Sequence, residues 1–480
     1  MKMVLGCVLL VAAACDTVPP PAPSDGVGIV PPAATAGGGA GAGAFKFVNF
    51  ELGAVPGTVC PGPAGCTNGA AEPAIRADAA GTFYVGSELG VGSGTLAWKS
   101  TDGGLHYTAL TSPNQLSQAA GGIGPGGGDV DLATAPNANA NGIHNLYVAS
   151  LSLANVTVTT SQDGGATWSK NVTSATIPGD DREWIAADQA TKVCVSYHDI
   201  ATFNIDVNCS FDAGASFTQF GTAIDAAHAY LLNDNSTGNL AIDPRNHVIY
   251  QVFSGIADAF EAAVPSSFHA VYIAVSLDGG NTFSDRTVYV NPNTSASYGH
   301  QFVNVSVDRA GTVYVVYTDN HNVYYSFSTD NAETFTGPIQ VNQAPSSATA
   351  IMPWSVACDP GQLNIVWYGT SFYDGVTVPD NYPASAGWYV FFAQNKNAAA
   401  PGSAFTQVAA TPIIHFGGVC ESGVACSGNR DLYDDFGIAV SPTTGFSSIT
   451  YSDDQPGNTG SADHTAIATQ TGGGKICSGS

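Results

Sequence analysis

Short segments that alternate apolar and polar residues recur along this chain, and each is followed by a turn and a second segment of β-branched and aromatic residues. Alternation with a period of two is typical of half-buried β-strands. The first strands of these pairs lie at residues 72–78, 129–133, 184–188, 239–243, 304–308, 354–359 and 436–440. Long helical periodicity is absent from the sequence. The pattern predicts an all-β protein built from seven similar units.

A second pattern, Ser-x-Asp-x-Gly-x-Thr-aromatic, repeats between these units, and some copies lack the Gly or the Thr. It begins at Ser100, Ser161, Ser210, Ser276 and Ser328. In such a segment the Asp and Ser side chains cap backbone amides in a tight turn, and Gly supplies a positive φ. A repeat at this spacing indicates small sheets that stack on their neighbours, because one such sheet cannot bury its faces alone.

The repeated frame resembles the Asp-box, or BNR, repeat of the sialidase superfamily and related β-propellers, over roughly residues 72–470. The resemblance implies a β-propeller in which the boxes join the third and fourth strands of each blade, on the face away from the active site. The box residues Asp102, Asp163, Asp212, Asp278 and Asp330 are then turn-forming residues.

We predict seven blades in preference to the six that are usual in sialidases. The seventh unit lacks a fourth strand, while residues 45–51 form a strand that belongs to no unit. Pairing these two closes the ring and removes the exposed sheet edges of an open array. The propeller domain is expected to cover residues 44–480.

The N-terminal residues predict export. Lys2 precedes an apolar stretch, and Cys15 ends a sequence that resembles a bacterial lipobox, so residues 1–15 read as a lipoprotein-type signal peptide with lipidation at Cys15. An ordinary cleavable signal peptide is the alternative. Residues 16–43 are rich in Pro, Ala and Gly and predict a disordered tether. We expect a protein that is lipid-anchored at the bacterial cell envelope or secreted, and that contacts a membrane only through its N-terminal lipid.

Charge and cysteine content narrow the possible partners. The chain carries 13 Lys and Arg against 38 Asp and Glu, which argues against a nucleic-acid partner. Eight cysteines remain outside the signal peptide, and their positions in the blades predict four disulfides, although eight cysteines allow many other pairings. The predicted pairs are Cys60–Cys66, Cys194–Cys209, Cys358–Cys477 and Cys420–Cys426. We expect a monomer.

The start of each innermost strand is the expected position of a site, because loops from all blades converge there on the channel. Acidic residues dominate these positions, and the predicted ligand-binding acids are Asp129, Asp131, Asp181, Glu183 and Asp435. Asp129 and Asp131 could hold Ca²⁺, although no cofactor is required. Two carboxylates across the channel could instead act as acid and base on a neutral glycan. Solvated loop acids are the simplest alternative.

The resemblance to sialidases also implies catalytic candidates. Arg182 and Arg430 are the strong cations of this ring, and Tyr433 beside Asp434 offers a nucleophile-like phenol next to a carboxylate. The chain lacks the Arg-Ile-Pro motif of that family, and an acidic mouth repels an anionic sugar.

A long insertion in blade six adds aromatic candidates. Tyr373 and Trp388 lie in or next to it and could stack on a sugar or anchor a partner, with packing inside the core as the alternative. Together these features favour an exported propeller that binds a carbohydrate or an extracellular protein at its mouth. A sialidase-like exo-glycoside hydrolase and a non-catalytic adhesive surface protein are the alternatives.

Overall fold

The computed structural model describes residues 44–479, except residues 62–65, 115–120, 153–154, 176–178, 301, 435 and 456–463. The predicted signal peptide, Cys15 and the tether lie outside the described residues and stay predictions. Among the described residues, no helix has the length and apolar character needed to cross a bilayer.

The chain forms seven antiparallel sheets that are arranged as the blades of a β-propeller, as predicted. The first strand described joins the last blade, and blades one to three follow it. These strands are β1 (Lys46–Glu51); β2 (Val59–Cys60), β3 (Ala71–Ala77), β4 (Phe83–Glu88), β5 (Thr95–Ser100) and β6 (Tyr107–Ala109); β7 (Val130–Ala138), β8 (His144–Leu151), β9 (Val156–Ser161) and β10 (Val172–Thr173); β11 (Asp180–Asp188), β12 (Lys192–Asp199), β13 (Ile205–Ser210) and β14 (Gln219–Thr222).

Blades four to seven repeat this arrangement. Their strands are β15 (Asn235–Ile242), β16 (Ile249–Gly255), β17 (Ala270–Ser276) and β18 (Ser284–Val290); β19 (Asn304–Val307), β20 (Val313–Thr318), β21 (Val323–Ser328) and β22 (Thr336–Gln340); β23 (Thr349–Ala357), β24 (Leu363–Thr370), β25 (Gly387–Asn395), β26 (Thr406–Ala409) and β27 (His415–Phe416); β28 (Gly437–Val440), β29 (Ser447–Asp453) and β30 (His464–Gly472). Short 3₁₀ helices occupy Ala226–Leu231, Glu261–Ala263, Pro379–Asn381 and Gly423–Ala425.

The innermost strands β3, β7, β11, β15, β19, β23 and β28 contact one another in that order, and β28 returns to β3. The seventh blade is completed by β1, which pairs antiparallel with β30. The predicted closure of the ring by the N-terminal strand is therefore confirmed.

Neighbouring blades share apolar layers, because each strand turns alternate residues toward the next sheet. Between blades two and three, for example, Tyr147 and Val158 pack with Ile185, Val195 and Tyr197, and all five are buried. The core of the molecule is thus a ring of layers between the blades.

The five Ser-x-Asp segments, here called the repeat turns, join the third and fourth strands of blades one to five. In each one the Ser hydroxyl donates to the Asp carboxylate, at distances from 2.6 Å for Ser328 to 2.9 Å for Ser100. The Asp also accepts a backbone N–H four residues later. The predicted turn-forming role of these aspartates is confirmed.

All four predicted disulfides form. Cys194 and Cys209 face each other across β12 and β13. Cys358 and Cys477 join the end of the inner strand of blade six to the chain that follows blade seven.

Candidate functional site

The channel mouth is the end of the propeller at which the innermost strands begin, and β3, β11, β15 and β23 are bulged near that end. Pairing with the adjacent strand is interrupted at Glu72, Arg182 and Met352. Their φ angles are 48°, 58° and 51°, a region that non-glycine residues rarely adopt. A bulge breaks the alternation of a strand and redirects its side chains, which is why bulges are frequent beside functional sites.

Three acids meet at this mouth and form what we call the carboxylate cluster: Glu72, Glu88 and Asp129. Glu72 lies in β3, Glu88 ends β4, and Asp129 immediately precedes β7 of the next blade. One carboxylate oxygen from each lies within 4.8 Å of the other two. Glu72 is buried, whereas Glu88 and Asp129 are half-buried, so the cluster is reached from the side of these two acids.

Two arginines border the carboxylate cluster on either side. The Arg430 guanidinium donates to Asp434 at 2.6 Å and to Oε1 of Glu72 at 3.4 Å, and the same Glu72 oxygen accepts the backbone N–H of Asp434 at 3.0 Å. On the other side, Arg182 lies 3.3 Å from Asp129. The mouth therefore presents guanidinium donors and carboxylate acceptors side by side.

Burial and crowding keep several of these acids protonated. Burial, followed by repulsion from Asp129, raises the pKa of Glu88 to about 8. The same two causes, with further repulsion from Glu88 and Asp434, hold the pKa of Glu72 well above its usual range. The pKa of Glu183 is also raised, again by burial first and Asp129 second. Acids this close cannot all ionise together, so the cluster holds protons at neutral pH.

Aromatic rings close the channel beneath the mouth, and we call Trp184, Phe302 and Trp354 the aromatic plug. The Trp184 ring lies 5.3 Å from Phe302 and 5.1 Å from Trp354, measured between centroids. Arg182 stacks on the plug at 4.0 Å from the Phe302 ring, and Arg76 lies 5.6 Å from Trp354. Cation–π contacts of this kind hold the guanidinium groups in place.

The plug separates two hollows. The one at the mouth is a narrow cleft without room for a water molecule, lined by Phe302, Met352, Pro353, Trp354, Asp434 and Phe436. The other is a cavity of about 300 Å³ between the far halves of the inner strands. Trp354 borders both, so the aromatic plug forms the floor of the mouth cleft.

Most of the predicted site residues meet at the mouth. Arg182, Arg430, Asp434 and Asp129 form the contacts described above. Tyr433 lies beside them, with the Arg430 guanidinium 5.2 Å from its ring centroid. Asp181 is exposed at the start of β11, and Glu183 is buried two residues further along that strand. Asp435 lies outside the described residues, so its role stays a prediction.

Asp131 requires a correction. It is buried in β7, its Oδ1 accepts from Arg76 at 2.6 Å and from the Leu132 N–H at 2.7 Å, and its Oδ2 accepts the Ile185 N–H at 3.0 Å. The predicted Ca²⁺ pair with Asp129 is not assembled, because Asp131 belongs to this internal network while Asp129 joins the carboxylate cluster. Asp131 instead ties blade two to blades one and three.

The two aromatic candidates of blade six differ in their exposure to solvent. Trp388 is completely buried and donates its indole N–H to the Gly417 carbonyl at 2.9 Å, so it is a core residue and offers no surface to a ligand. Tyr373 is 46% exposed and stacks on His321 at 3.7 Å between ring centroids. Only Tyr373 is available to a partner.

The predicted site omitted Glu88 and Phe302. Glu88 ends a second strand, and second strands run antiparallel to the first, so their final residues also reach the mouth. The position of Glu88 at the end of a second strand is therefore the sequence signal that indicates it. Phe302 precedes β19 without any distinguishing pattern, and no sequence signal indicates it.

No family model and no curated protein matches this chain. Among solved structures it is similar to an α-L-arabinofuranosidase from Fusarium graminearum, solved with an iminosugar inhibitor, at 12% identity and a TM-score of 0.47, covering 89% of this chain and 98% of that one. It is also similar to a xyloglucanase from Xanthomonas campestris at 13% identity and a TM-score of 0.47, covering 85% of this chain and 54% of that one.

A third similar structure is an intramolecular trans-sialidase from Ruminococcus gnavus, solved with oseltamivir carboxylate. The identity is 10% and the TM-score 0.39, over 84% of this chain and 94% of that one.

Proposed function

We propose that this chain is an exported propeller that binds a carbohydrate at its channel mouth. The observation that carries the proposal is the carboxylate cluster, with Arg182 and Arg430 beside it and the aromatic plug beneath it. Sugar hydroxyls both donate and accept hydrogen bonds, and the C–H faces of a sugar ring pack on aromatic side chains. Of the three plug rings, Trp184 and Trp354 are buried and Phe302 is half-buried, so Phe302 is the ring that a sugar could reach. These groups lie together at the mouth, where a sugar could contact them from the side of the half-buried Glu88 and Asp129. The predicted lipid at Cys15 and the tether would hold the propeller at the cell envelope.

The charge of the mouth favours a neutral sugar. With Glu72, Glu88 and Glu183 protonated, Asp129, Asp181 and Asp434 still outnumber the two arginines, and each arginine is already engaged by a carboxylate. An anionic sugar would meet net repulsion there. A sialidase-like activity would also require a guanidinium group to leave its carboxylate partner before it could bind the acid group of the substrate.

Glycoside hydrolysis is the second candidate, and Glu88 and Asp129 favour it. Glu88, whose pKa is raised by burial and by Asp129, can donate a proton to a leaving oxygen. Asp129, which lies 3.3 Å from Arg182, is the carboxylate that could act as nucleophile. Retaining glycosidases place their two carboxyl groups about 5 Å apart, and the oxygens here lie within 4.8 Å.

One set of variants distinguishes carbohydrate binding from glycoside hydrolysis. We expect Glu88→Gln to keep carbohydrate binding, because an amide resembles the protonated acid, and to reduce release of an aryl leaving group by at least about 100-fold if the protein is an enzyme. Asp129→Ala should weaken binding in either case, since Arg182 then loses its partner. Glu333→Gln is the matched control, because that acid is exposed and pairs with Arg286 far from the mouth.

Binding is measured on a panel of neutral, amino and sialylated glycans, and hydrolysis on the corresponding aryl glycosides. Binding to a neutral glycan that Asp129→Ala weakens and Glu333→Gln leaves unchanged supports the proposal. Binding that neither variant alters, or a preference for sialylated glycans, would contradict it. Circular dichroism and the unfolding midpoint of each variant exclude loss of the fold as the cause.

A further inference from the structure

A second group of metal-compatible side chains lies outside the mouth, between the outer strands of blades three and four. We call Asp225, His228 and Asp285 the outer cluster. Asp225 caps the 3₁₀ helix that follows β14, His228 lies within that helix, and Asp285 is the second residue of β18. The group therefore joins two blades at the perimeter of the ring, and it takes no part in the carbohydrate site proposed above.

The spacing of the three side chains matches a tetrahedral metal site. Nδ1 of His228 lies 2.9 Å from Oδ1 of Asp225 and 3.6 Å from Oδ2 of Asp285. Zinc binds imidazole nitrogen and carboxylate oxygen at about 2.0–2.2 Å, which separates tetrahedral ligands by roughly 3.3 Å. The two observed distances lie on either side of that value, and one ligand atom of each residue lies within 4.8 Å of the other two.

Asp285 supplies a second, independent observation. Its side chain is completely buried, yet its Oδ1 accepts no hydrogen bond from the described residues. A buried carboxylate oxygen without a partner is costly, because water no longer solvates it. A cation bound beside this carboxylate would compensate that cost.

The backbone around the outer cluster is already fixed. The N–H of Asp225 donates to Oδ2 of Asp285 at 2.8 Å, and the N–H of Asp285 donates to Oδ2 of Asp225 at 3.0 Å. The His228 ring also contacts Tyr230 and Tyr272, at 5.9 Å and 6.4 Å between centroids. Little ordering of the chain is then needed when an ion binds.

We propose that Asp225, His228 and Asp285 bind a divalent transition-metal ion of the zinc type. The two carboxylates and a neutral imidazole supply three ligands, and the side chains of Asp225 and His228 are 21% and 27% exposed, which leaves a fourth position open to water. On binding, Nδ1 gives its lone pair to the metal and the ring proton resides on Nε2, for which the described residues provide no hydrogen bond. Ca²⁺ is a poorer fit, since it takes six to eight oxygen ligands.

A second His–Asp–Asp group provides an internal contrast. His415 lies 2.8 Å from Asp454 through Nδ1 and 3.1 Å from the Gly418 carbonyl through Nε2, with Asp431 nearby. Both nitrogens of this buried ring are already engaged by oxygen atoms, so neither can bind a metal without losing a hydrogen bond. One histidine and two aspartates close together are therefore not sufficient for a metal site.

The test is a calorimetric titration of the chelator-treated full-length protein with Zn²⁺, repeated on three variants. We expect one equivalent of Zn²⁺ to bind the parent protein, at least tenfold weaker binding by His228→Ala and by Asp285→Asn, and unchanged binding by His415→Ala. Asp285→Asn keeps an oxygen for the Asp225 N–H and so preserves the local backbone.

Cobalt substitution gives a second readout that does not depend on affinity. Co²⁺ in the parent protein should show the visible absorption of a tetrahedral site, and His228→Ala should abolish it. The proposal is overturned if the parent binds no Zn²⁺, if His228→Ala binds as tightly as the parent, or if only His415→Ala loses binding. None of these results depends on whether the mouth binds a sugar.

Discussion

Carboxylates in this protein occupy two opposite kinds of surroundings. In the repeat turns, donors surround them: the pKa of Asp330 is lowered to about 2, because the Ser328 and Thr334 hydroxyls and the Thr334 N–H all donate to it. At the mouth, burial and neighbouring acids raise the pKa of Glu88 to about 8. The first kind stabilises turns in its ionised form, and the second kind is held in its protonated form.

The repeat turns lead to a prediction about stability. Asp163 accepts from the Ser161 hydroxyl at 2.8 Å, the Thr167 N–H at 2.8 Å and the Thr167 hydroxyl at 2.5 Å. We expect Asp163→Ala to lower the free energy of unfolding by about 1 kcal/mol, as the loss of a capping side chain typically does. Chemical denaturation measures the change.

The matched control for that turn is Asp374→Ala. Asp374 accepts the same kinds of hydrogen bonds from Val376 and Thr377. It lies, however, in the exposed insertion between β24 and β25 of blade six and not in a repeat turn. That loop can open while the blades stay folded. A larger loss for Asp374→Ala than for Asp163→Ala would mean that the repeat turns do not stabilise the blades.

At the scale of single residues, the sequence indicates which residues lie at the mouth better than it indicates which residues they contact. The start of each inner strand identified Asp129, Arg182 and Arg430 correctly as mouth residues. It could not separate Asp129 from Asp131, because whether an acid faces the mouth or an internal arginine depends on the packing of adjacent blades.

Among the elements, the short strand β1 closes the ring of blades. It supplies the fourth strand of blade seven, and Phe45 and Phe47 at its start pack on Phe392 at 5.1 Å and 5.3 Å between ring centroids. Without it, β30 would expose an unpaired edge.

We therefore expect a variant that begins at Leu52 to lose about 3 kcal/mol or more of stability and to aggregate, whereas one that begins at Ala44 matches the full chain. This loss combines the β1–β30 pairing with Phe45 and Phe47, which are half-buried and so contribute less than the roughly 1.5–3 kcal/mol of a fully buried side chain. Thermal unfolding and light scattering measure both effects. Adding a peptide of residues 44–51 should restore part of the loss, and failure of both the deletion and the peptide to change anything would argue against closure by β1.

The disulfides differ in how much chain they restrict. Cys358–Cys477 spans 119 residues and Cys194–Cys209 spans 15. Because a cross-link removes more entropy from the unfolded chain when its loop is longer, removing the first pair should cost about 2 kcal/mol more than removing the second. The paired variants Cys358→Ala with Cys477→Ala, and Cys194→Ala with Cys209→Ala, are compared by denaturation. Equal losses would indicate that local packing dominates in both.

Strands and turns could be predicted from the sequence where a local residue pattern determines them. The alternating strands and the repeat turns give the blades and the ring closure, since each depends on residues close in sequence. The bulges at Glu72, Arg182 and Met352 were not predictable, because those residue types ordinarily avoid the positive φ that the surrounding blades impose.

Over the whole molecule, acids outnumber bases by 25 charges, and several of those acids are buried. Burial first, and nearby carboxylates second, raise the pKa of Asp180 to about 7. Burial likewise raises the pKa of Asp453 to about 7. These groups hold protons in the folded protein that the unfolded chain, with carboxyl pKa values of about 4, has already released at neutral pH.

This difference predicts that the protein is most stable under mildly acidic conditions. Between about pH 4 and pH 8 the folded state binds more protons than the unfolded state, so the free energy of unfolding falls as pH rises. The repeat-turn aspartates act in the opposite sense, but only below about pH 4, where the unfolded chain begins to take up protons. We expect the unfolding midpoint to be several degrees higher at pH 5 than at pH 8, measured by calorimetry at constant ionic strength. Asp180→Asn should flatten this slope because an amide cannot ionise, while Asp374→Asn should leave it unchanged. A midpoint that rises from pH 5 to pH 8 would show that the buried acids are ionised in the folded protein.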